Sequence, residues 1–203
     1  NVASAGDVNL TSAGVTGGGG YTVASTGTSD ITGSAGADAL TNTSGDATML
    51  GLAGIDTFTA TAGALTISDL GVGGADVVDL NNGTVIATTT AAWTATNVTD
   101  NAQATAAFTI NVASAGAVDL TSAGTSVGGY TVLSTGTSAV TGSDDADALT
   151  NTSGNATMVG LAGIDTFTAT AGALTISDLG VGGLVDIVDL NGGTVIATTT
   201  GAW

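Results

Sequence analysis

Residues 33 to 68 read GSAGADALT NTSGDATML GLAGIDTFT ATAGALTIS, four nonapeptides laid end to end. The eighth place of each unit holds a large apolar residue, Leu40, Met49, Phe58 and Ile67, and Ile31 extends the series backward at the same spacing. The fourth place holds Gly36, Gly45, Gly54 and Gly63, with Gly27 before them. A period of nine fits neither the 3.6 of a helix nor the 2 of a flat strand, so each unit must combine a short strand with a turn. Glycine tolerates the turn and lets neighbouring backbones approach, while the apolar residue points into a narrow shared core. Stacked this way, the units form parallel strands, two per coil, and residues eighteen apart fall on one side.

The motif sits inside a larger duplication. NVASAGDVNLTSAG from Asn1 returns as NVASAGAVDLTSAG from Asn111, and LAGIDTFTATAGALTISDLGVGG from Leu52 returns unchanged from Leu161. Two copies result, 1–93 and 111–203, joined by TATNVTDNAQATAAFTI over 94–110, with the nonapeptide roll expected at about 24–80 and 133–190. In the second copy the apolar series is Val140, Leu149, Met158, Phe167 and Ile176, and the glycine slot holds Gly136, Asp145, Gly154, Gly163 and Gly172. The expectation is a piece of a longer array.

Outside the rolls the pattern reads as antiparallel β-structure. Asn81-Asn82-Gly83 and Asn191-Gly192-Gly193 separate β-like runs in the manner of tight hairpins. Val85, Ala87, Ala91, Trp93 and Ala95 alternate with mostly threonine, and so do Ala102, Ala104, Ala106, Phe108, Ile110 and Val112. The expected fold is therefore all-β, parallel β-roll units in tandem joined by antiparallel strands, with no helix.

GLAGIDTFT over 51–59 and GSAGADALT over 33–41 resemble the haemolysin-type calcium-binding nonapeptides known as RTX repeats, which occur in secreted bacterial proteins. The resemblance implies a right-handed parallel β-roll with Ca2+ between turns, held by the aspartate in place six and by backbone carbonyls. On that reading Asp38 with Asp56, and Asp147 with Asp165, each eighteen apart, are the metal-binding pairs. ISDLGVGGADVVDL from Ile67 is similar to the segment that ends such rolls, which makes Asp69 and Asp76, with Asp178 and Asp186, candidate terminal ligands. Charge patterning instead favours a solvated face for Asp76, Asp186, Asp79 and Asp189, and Asp7, aligned with Ala117, reads as surface. The intervening units carry Ala47 and Leu65, or Ala156 and Leu174, in place six, so the roll should bind calcium on one side only. Asp145 in a glycine slot either adds a ligand or weakens its turn.

Composition removes other chemistries. The 203 residues include seventeen Asp and no Glu, Lys, Arg, His, Cys or Pro, a net charge of −17. Without His, Cys or Lys there is no catalytic triad, Schiff-base amine, or thiolate or imidazole metal ligand. Nucleic acid is an unfavourable partner for a surface with no cation, and no apolar run is long enough for membrane insertion. Aspartates in glycine-rich turns also serve as Asx-turn residues, and two close carboxylates can be a glycosidase pair. No aromatic sugar platform accompanies them here. The threonine rows at 57, 59, 61 and at 166, 168, 170 do not repeat in every turn, so β-propensity accounts for them better than an ice-binding array. Trp93 and Trp203 read as core or interface anchors.

These readings converge on a non-catalytic, extracellular or cell-surface structural protein of bacteria that binds calcium and assembles with copies of itself into a layer or filament. An adhesin stalk is the alternative, ahead of the secretion tail of an exported enzyme. Cell-surface polysaccharide stays open as a partner. With only 3% aromatic residues the core is thin, and calcium would supply both counter-charge and folding energy.

Overall fold

The nonapeptides become the coils of a parallel β-solenoid in the computed structural model, which describes residues 1–3, 5–14, 19–104, 107–113, 115–124 and 127–199. The first copy supplies β1 (Val8–Asn9), β2 (Gly19–Ser25), β3 (Ser29–Thr32), β4 (Ala37–Asn42), β5 (Asp46–Leu50), β6 (Thr57–Ala60), β7 (Ala64–Ile67), β8 (Val77–Leu80) and β9 (Thr84–Thr89). The junction follows with β10 (Ala92–Thr94), β11 (Asp100–Asn101) and β12 (Phe108–Val112). The second copy adds β13 (Ala117–Asp119), β14 (Thr131–Ser134), β15 (Ser138–Thr141), β16 (Ala148–Asn151), β17 (Asn155–Val159), β18 (Thr166–Ala169), β19 (Ala173–Leu179), β20 (Ile187–Leu190) and β21 (Thr194–Thr199). Among the described residues the helical content is a single 3-10 turn, Val181–Gly183. None of their helices is long and apolar enough to cross a membrane.

Three sheets result. A shared sheet runs through both copies in the order β1, β3, β5, β7, β9, β12, β14, β16, β18, β20. A first outer sheet, β2, β4, β6, β8, β11, faces it in the first copy; a second outer sheet, β10, β13, β15, β17, β19, β21, faces it in the second. Strand alternation sends one set of side chains inward, and the nine-residue register stacks them in rows. One row of the shared sheet reads Val8, Ile31, Met49, Ile67, Ala87, Ile110, Val132, Leu149, Phe167, Val188. From Ile31 to Phe167 every member is buried. The periodic apolar series of the sequence is thus one continuous core.

The junction corrects the expected antiparallel strands. Every strand pairing among the described residues is parallel, and β8 and β9 do not form a hairpin around Asn81–Gly83 but lie in different sheets. Alternation of apolar and polar residues reports which face is buried and is silent on strand direction. The turn at Gly83 (φ 99) packs against the carbonyl of Gly63 one coil below, so it continues the coil instead of reversing it. Ala106 and Trp203, singled out in the sequence, lie outside the described residues.

Through the junction the chain visits all three sheets in succession, β9 in the shared sheet, β10 in the second outer, β11 in the first outer and β12 in the shared sheet again. That extra side displaces the second copy by one sheet. Strands of the first copy that lie in the first outer sheet, such as β4, correspond to shared-sheet strands in the second, such as β16; shared-sheet β5 corresponds to β17 in the second outer sheet. Trp93 anchors the shift: its side chain is buried and its indole Nε1 donates to the carbonyl of Asp76 at 2.9 Å. Phe108 and Tyr130 meet edge to face across the seam, ring centres 5.4 Å apart.

Candidate metal centre

Each roll has one acidic edge and one neutral edge. On the acidic edge, backbone N–H groups of successive coils point inward and carboxylates receive them. In the first roll Tyr21 N donates to Asp38 Oδ1 (2.6 Å), Asp38 N to Asp56 Oδ1 (2.8 Å) and Asp56 N to Asp76 Oδ1 (2.9 Å). In the second, Tyr130 N donates to Asp147 Oδ1 (2.7 Å), Asp147 N to Asp165 Oδ1 (2.9 Å) and Asp165 N to Asp186 Oδ1 (3.1 Å). The aspartates thus link neighbouring coils, carboxylate to backbone. All six are buried.

The second carboxylate oxygen separates the row members. Asp38 Oδ2 accepts Ser34 N at 2.6 Å, and Asp147 Oδ2 accepts Ser143 N at the same distance. Asp76 Oδ2 accepts Gly71 N, and Asp186 Oδ2 accepts Gly180 N, each at 2.8 Å. Asp56 Oδ2 and Asp165 Oδ2, fully buried, have no hydrogen-bond partner. Both sit against a glycine, Gly51 and Gly160, where a methyl group would collide with that oxygen. The unpartnered oxygen therefore recurs at the same place in both rolls.

Asp69 and Asp178 act elsewhere. Each grips two consecutive amides one coil back: Gly51 N and Leu52 N reach Asp69 Oδ1 and Oδ2 at 3.0 and 2.7 Å, and Gly160 N and Leu161 N reach Asp178 at 3.0 and 2.8 Å. Leu52 and Leu161 both have φ 74, a conformation that costs a branched side chain energy and turns successive N–H groups toward one anion. The carboxylate holds that geometry in place.

The neutral edge has the opposite polarity. There inward-facing carbonyls need donors, and asparagine provides them: Asn42 Nδ2 serves the carbonyls of Gly45, Ala62 and Ala64 at 3.0 to 3.1 Å, and Asn151 Nδ2 those of Gly154, Ala171 and Ala173 at 3.0 to 3.3 Å. Paired hydroxyls, Ser25 with Ser29 and Ser134 with Ser138, close the same side. Ala47, Leu65, Ala156 and Leu174 are all buried and carry no ligand atom. Sequence reasoning assigned no role to Asn42 and Asn151, although each opens the unit that carries Ala47 or Ala156 in place six.

Burial makes four members of the acidic row costly to ionise. Asp56 and Asp165 are pushed up from the usual 3.8 to about 7, by desolvation first, opposed by the backbone amide each accepts and reinforced by neighbouring carboxylates. Desolvation likewise lifts Asp76 and Asp147 to about 6, against two backbone amides apiece.

The expected solvated face for Asp76 and Asp186 is corrected: both are buried members of the row. The loop before them breaks the nine-residue count, so they follow their partners by 20 and 21 residues instead of eighteen, which hid them from a periodicity search. Asp79 is half-buried and Asp189 exposed, as is Asp7. Asp145 keeps its turn intact: its N–H donates to Ser143 Oγ at 3.2 Å, as Gly36 N does to Ser34 Oγ.

A hard cation needs oxygen donors, and the orphaned Asp56 Oδ2 and Asp165 Oδ2 fit that chemistry. The neighbouring carboxylates reach these aspartates through backbone amides, and among the described residues no three acidic side chains stand close enough to hold a metal by themselves. Any cation there would need donors beyond the acidic side chains. No protein-family model, no curated protein and no solved structure matches the chain.

Proposed function

We propose that this is a calcium-stabilised, non-catalytic structural repeat protein of the RTX kind, extracellular, whose copies assemble into a surface layer or filament. The observation that carries the reading is that, of three buried carboxylate oxygens without partners among the described residues, two, Asp56 Oδ2 and Asp165 Oδ2, stand at equivalent places in two copies of a chain with no cationic side chain, the third being Asp100 Oδ1 in the connecting segment. An ionised carboxylate buried without a partner is strongly destabilising, and a divalent cation removes that cost. Asp56 and Asp165 would hold the ion, and Asp38, Asp76, Asp147 and Asp186 would fix the coils around it. Bound calcium supplies charge neutralisation and cross-links between coils. Because the ion binds the folded roll, its binding energy becomes folding energy, and sites of ~10⁻⁴ to 10⁻³ M would load outside a cell and stay empty within one.

Assembly is the second part of the same proposal: an unpaired edge strand is able to accept a strand of another copy. Sedimentation velocity of the chain in millimolar calcium and again in chelator tests both parts. The expected result is a slow, expanded species in chelator that compacts and then associates when calcium is added. A calcium-dependent compact monomer at every concentration would replace the layer or filament with a stalk. Identical sedimentation in both buffers would remove calcium from the account.

A further inference from the structure

The neutral edge of the first roll carries chemistry that neither packing nor metal binding uses. Between β8 and β9 the chain runs Asn81-Asn82-Gly83, and at the equivalent turn of the second roll it runs Asn191-Gly192-Gly193. Each turn holds one Asn-Gly step, but the two steps are out of phase by one residue. In the first roll Asn82 is exposed, and Gly83 N donates to Asn82 Oδ1 at 3.0 Å. That contact brings a backbone nitrogen against the oxygen bonded to Asn82 Cγ, and glycine has no side chain to obstruct a closer approach. In the second roll Asn191 Nδ2 donates to Asp189 Oδ2 at 2.9 Å, which ties the amide to a carboxylate two residues back.

We propose that Asn82 is a self-modifying site, at which Gly83 N attacks Asn82 Cγ and expels ammonia. Gly83 N gives up its proton to water or hydroxide and becomes the nucleophile. The N–Cγ bond forms, the Cγ–Nδ2 bond breaks, and Nδ2 takes a proton from water and leaves as ammonia. Water then opens the five-membered imide at either carbonyl. One opening gives an ordinary aspartate at 82; the other gives an isoaspartyl link, which routes the backbone through the side chain and lengthens it by one carbon. Nothing is oxidised or reduced, and water is the sole co-reactant. Either product adds a negative charge to an edge that Asn42 and paired hydroxyls hold together without any. The extra carbon also meets a tight turn: Gly83 packs so closely on the coil below that a Cβ would lie 2.2 Å from the Gly63 carbonyl oxygen, and Thr84 N donates to that oxygen at 2.9 Å. Gln103 of the connecting segment rests on the same turn, its Nε2 donating to the Asn81 carbonyl at 2.7 Å. The modification thus falls where the junction meets the first roll, and it depends on neither calcium nor assembly.

The test follows ammonia loss by fragment mass, since cleavage before aspartate frees 79–99 and 189–203 as separate pieces. The full chain in millimolar calcium, its β-structure verified by circular dichroism, is held at pH 8 beside the same chain in denaturant. In the folded chain 79–99 should gain the mass of an amide-to-acid exchange roughly fivefold faster than 189–203, because only Asn82 has its next amide in contact. In denaturant, where both are plain Asn-Gly steps, the two rates should be equal. The aspartyl product is cut again before residue 82 and the isoaspartyl product resists, which places the change. Asn82→Gln, at an exposed side chain that folding does not require, should remove the gain from 79–99, and Asn81→Gln should retain it. No gain in folded 79–99, equal gain in both folded fragments, or a gain that survives Asn82→Gln would overturn the site.

Discussion

The first and second rolls share most of their sequence, yet they use different sheets and present their acidic edges on opposite sides of the one sheet they share. In the first roll the aspartate turns leave the C-terminal ends of shared-sheet strands: β5 closes at Leu50, Asp56 follows, and β6 opens in the first outer sheet. In the second roll they enter the N-terminal ends: β17 closes at Val159 in the second outer sheet, Asp165 follows, and β18 opens in the shared sheet. Since the shared sheet is parallel throughout, those ends are its two opposite edges. The nonapeptide thus determines the coil, and the connecting segment determines where the next set of coils is placed. The acidic edge thus changes sides at the junction between the two copies, a property that neither copy contains by itself.

The equivalence of the two carboxylate rows is broken or kept by the largest effect expected. Replacing Asp56 and Asp165 together by alanine should abolish calcium-dependent compaction, read by sedimentation or circular dichroism, and each single variant should halve the calcium bound per chain. A single variant that removes the whole response would mean that the rolls fold as one unit and not as two equal ones. An undiminished response in the double variant would place calcium elsewhere.

A sharper contrast comes from one substitution made at two equivalent leucines. Leu80→Ala removes a fully buried side chain and should cost about 2–5 kcal/mol in denaturant unfolding. Leu190→Ala acts on the exposed counterpart and should stay within about 0.5 kcal/mol in dilute solution. Equal costs would mean that β20 and β21 are already covered. On the neutral edge, Asn42→Ala and Asn151→Ala each strip buried carbonyls of their donor and should cost about 1–3 kcal/mol alike.

Much of this was legible in the residues. The glycine and apolar registers at 27–67 and 136–176 specify coils of eighteen residues, and the registers Leu40 with Phe58 and Leu149 with Phe167 follow directly. Asp38, Asp56, Asp147 and Asp165 were visible because they repeat at that spacing. The displacement by one sheet was not visible, because it depends on how many sides the chain turns between Thr84 and Val112, and the alternating residues there are compatible with any strand direction. Asp76 and Asp186 were obscured for a related reason: a loop of changed length returns a residue to the same row out of phase with the count.

The smallest effect concerns protons and tests the two rolls against each other most closely. Asp56 and Asp165 titrate near 7 when folded against 3.8 for an ordinary aspartate, and Asp76 and Asp147 near 6. Between about pH 4 and 7 the folded chain consequently binds more protons than the unfolded one, and the sign of the linkage makes stability fall as pH rises through that window. In chelator the chain expected to be expanded at pH 8 should therefore become more compact as the pH is lowered to 5, read by sedimentation. Millimolar calcium, competing with the proton for the same oxygens, should flatten the dependence by stabilising the chain at pH 8. Asp56→Asn and Asp165→Asn each remove one raised carboxyl while keeping an acceptor for the amide of the coil before it, so either should reduce the slope by the same amount. Unequal reductions would show that the shift between sheets, which leaves the hydrogen-bond geometry of the two rows alike, nonetheless gives their buried carboxylates different electrostatic surroundings.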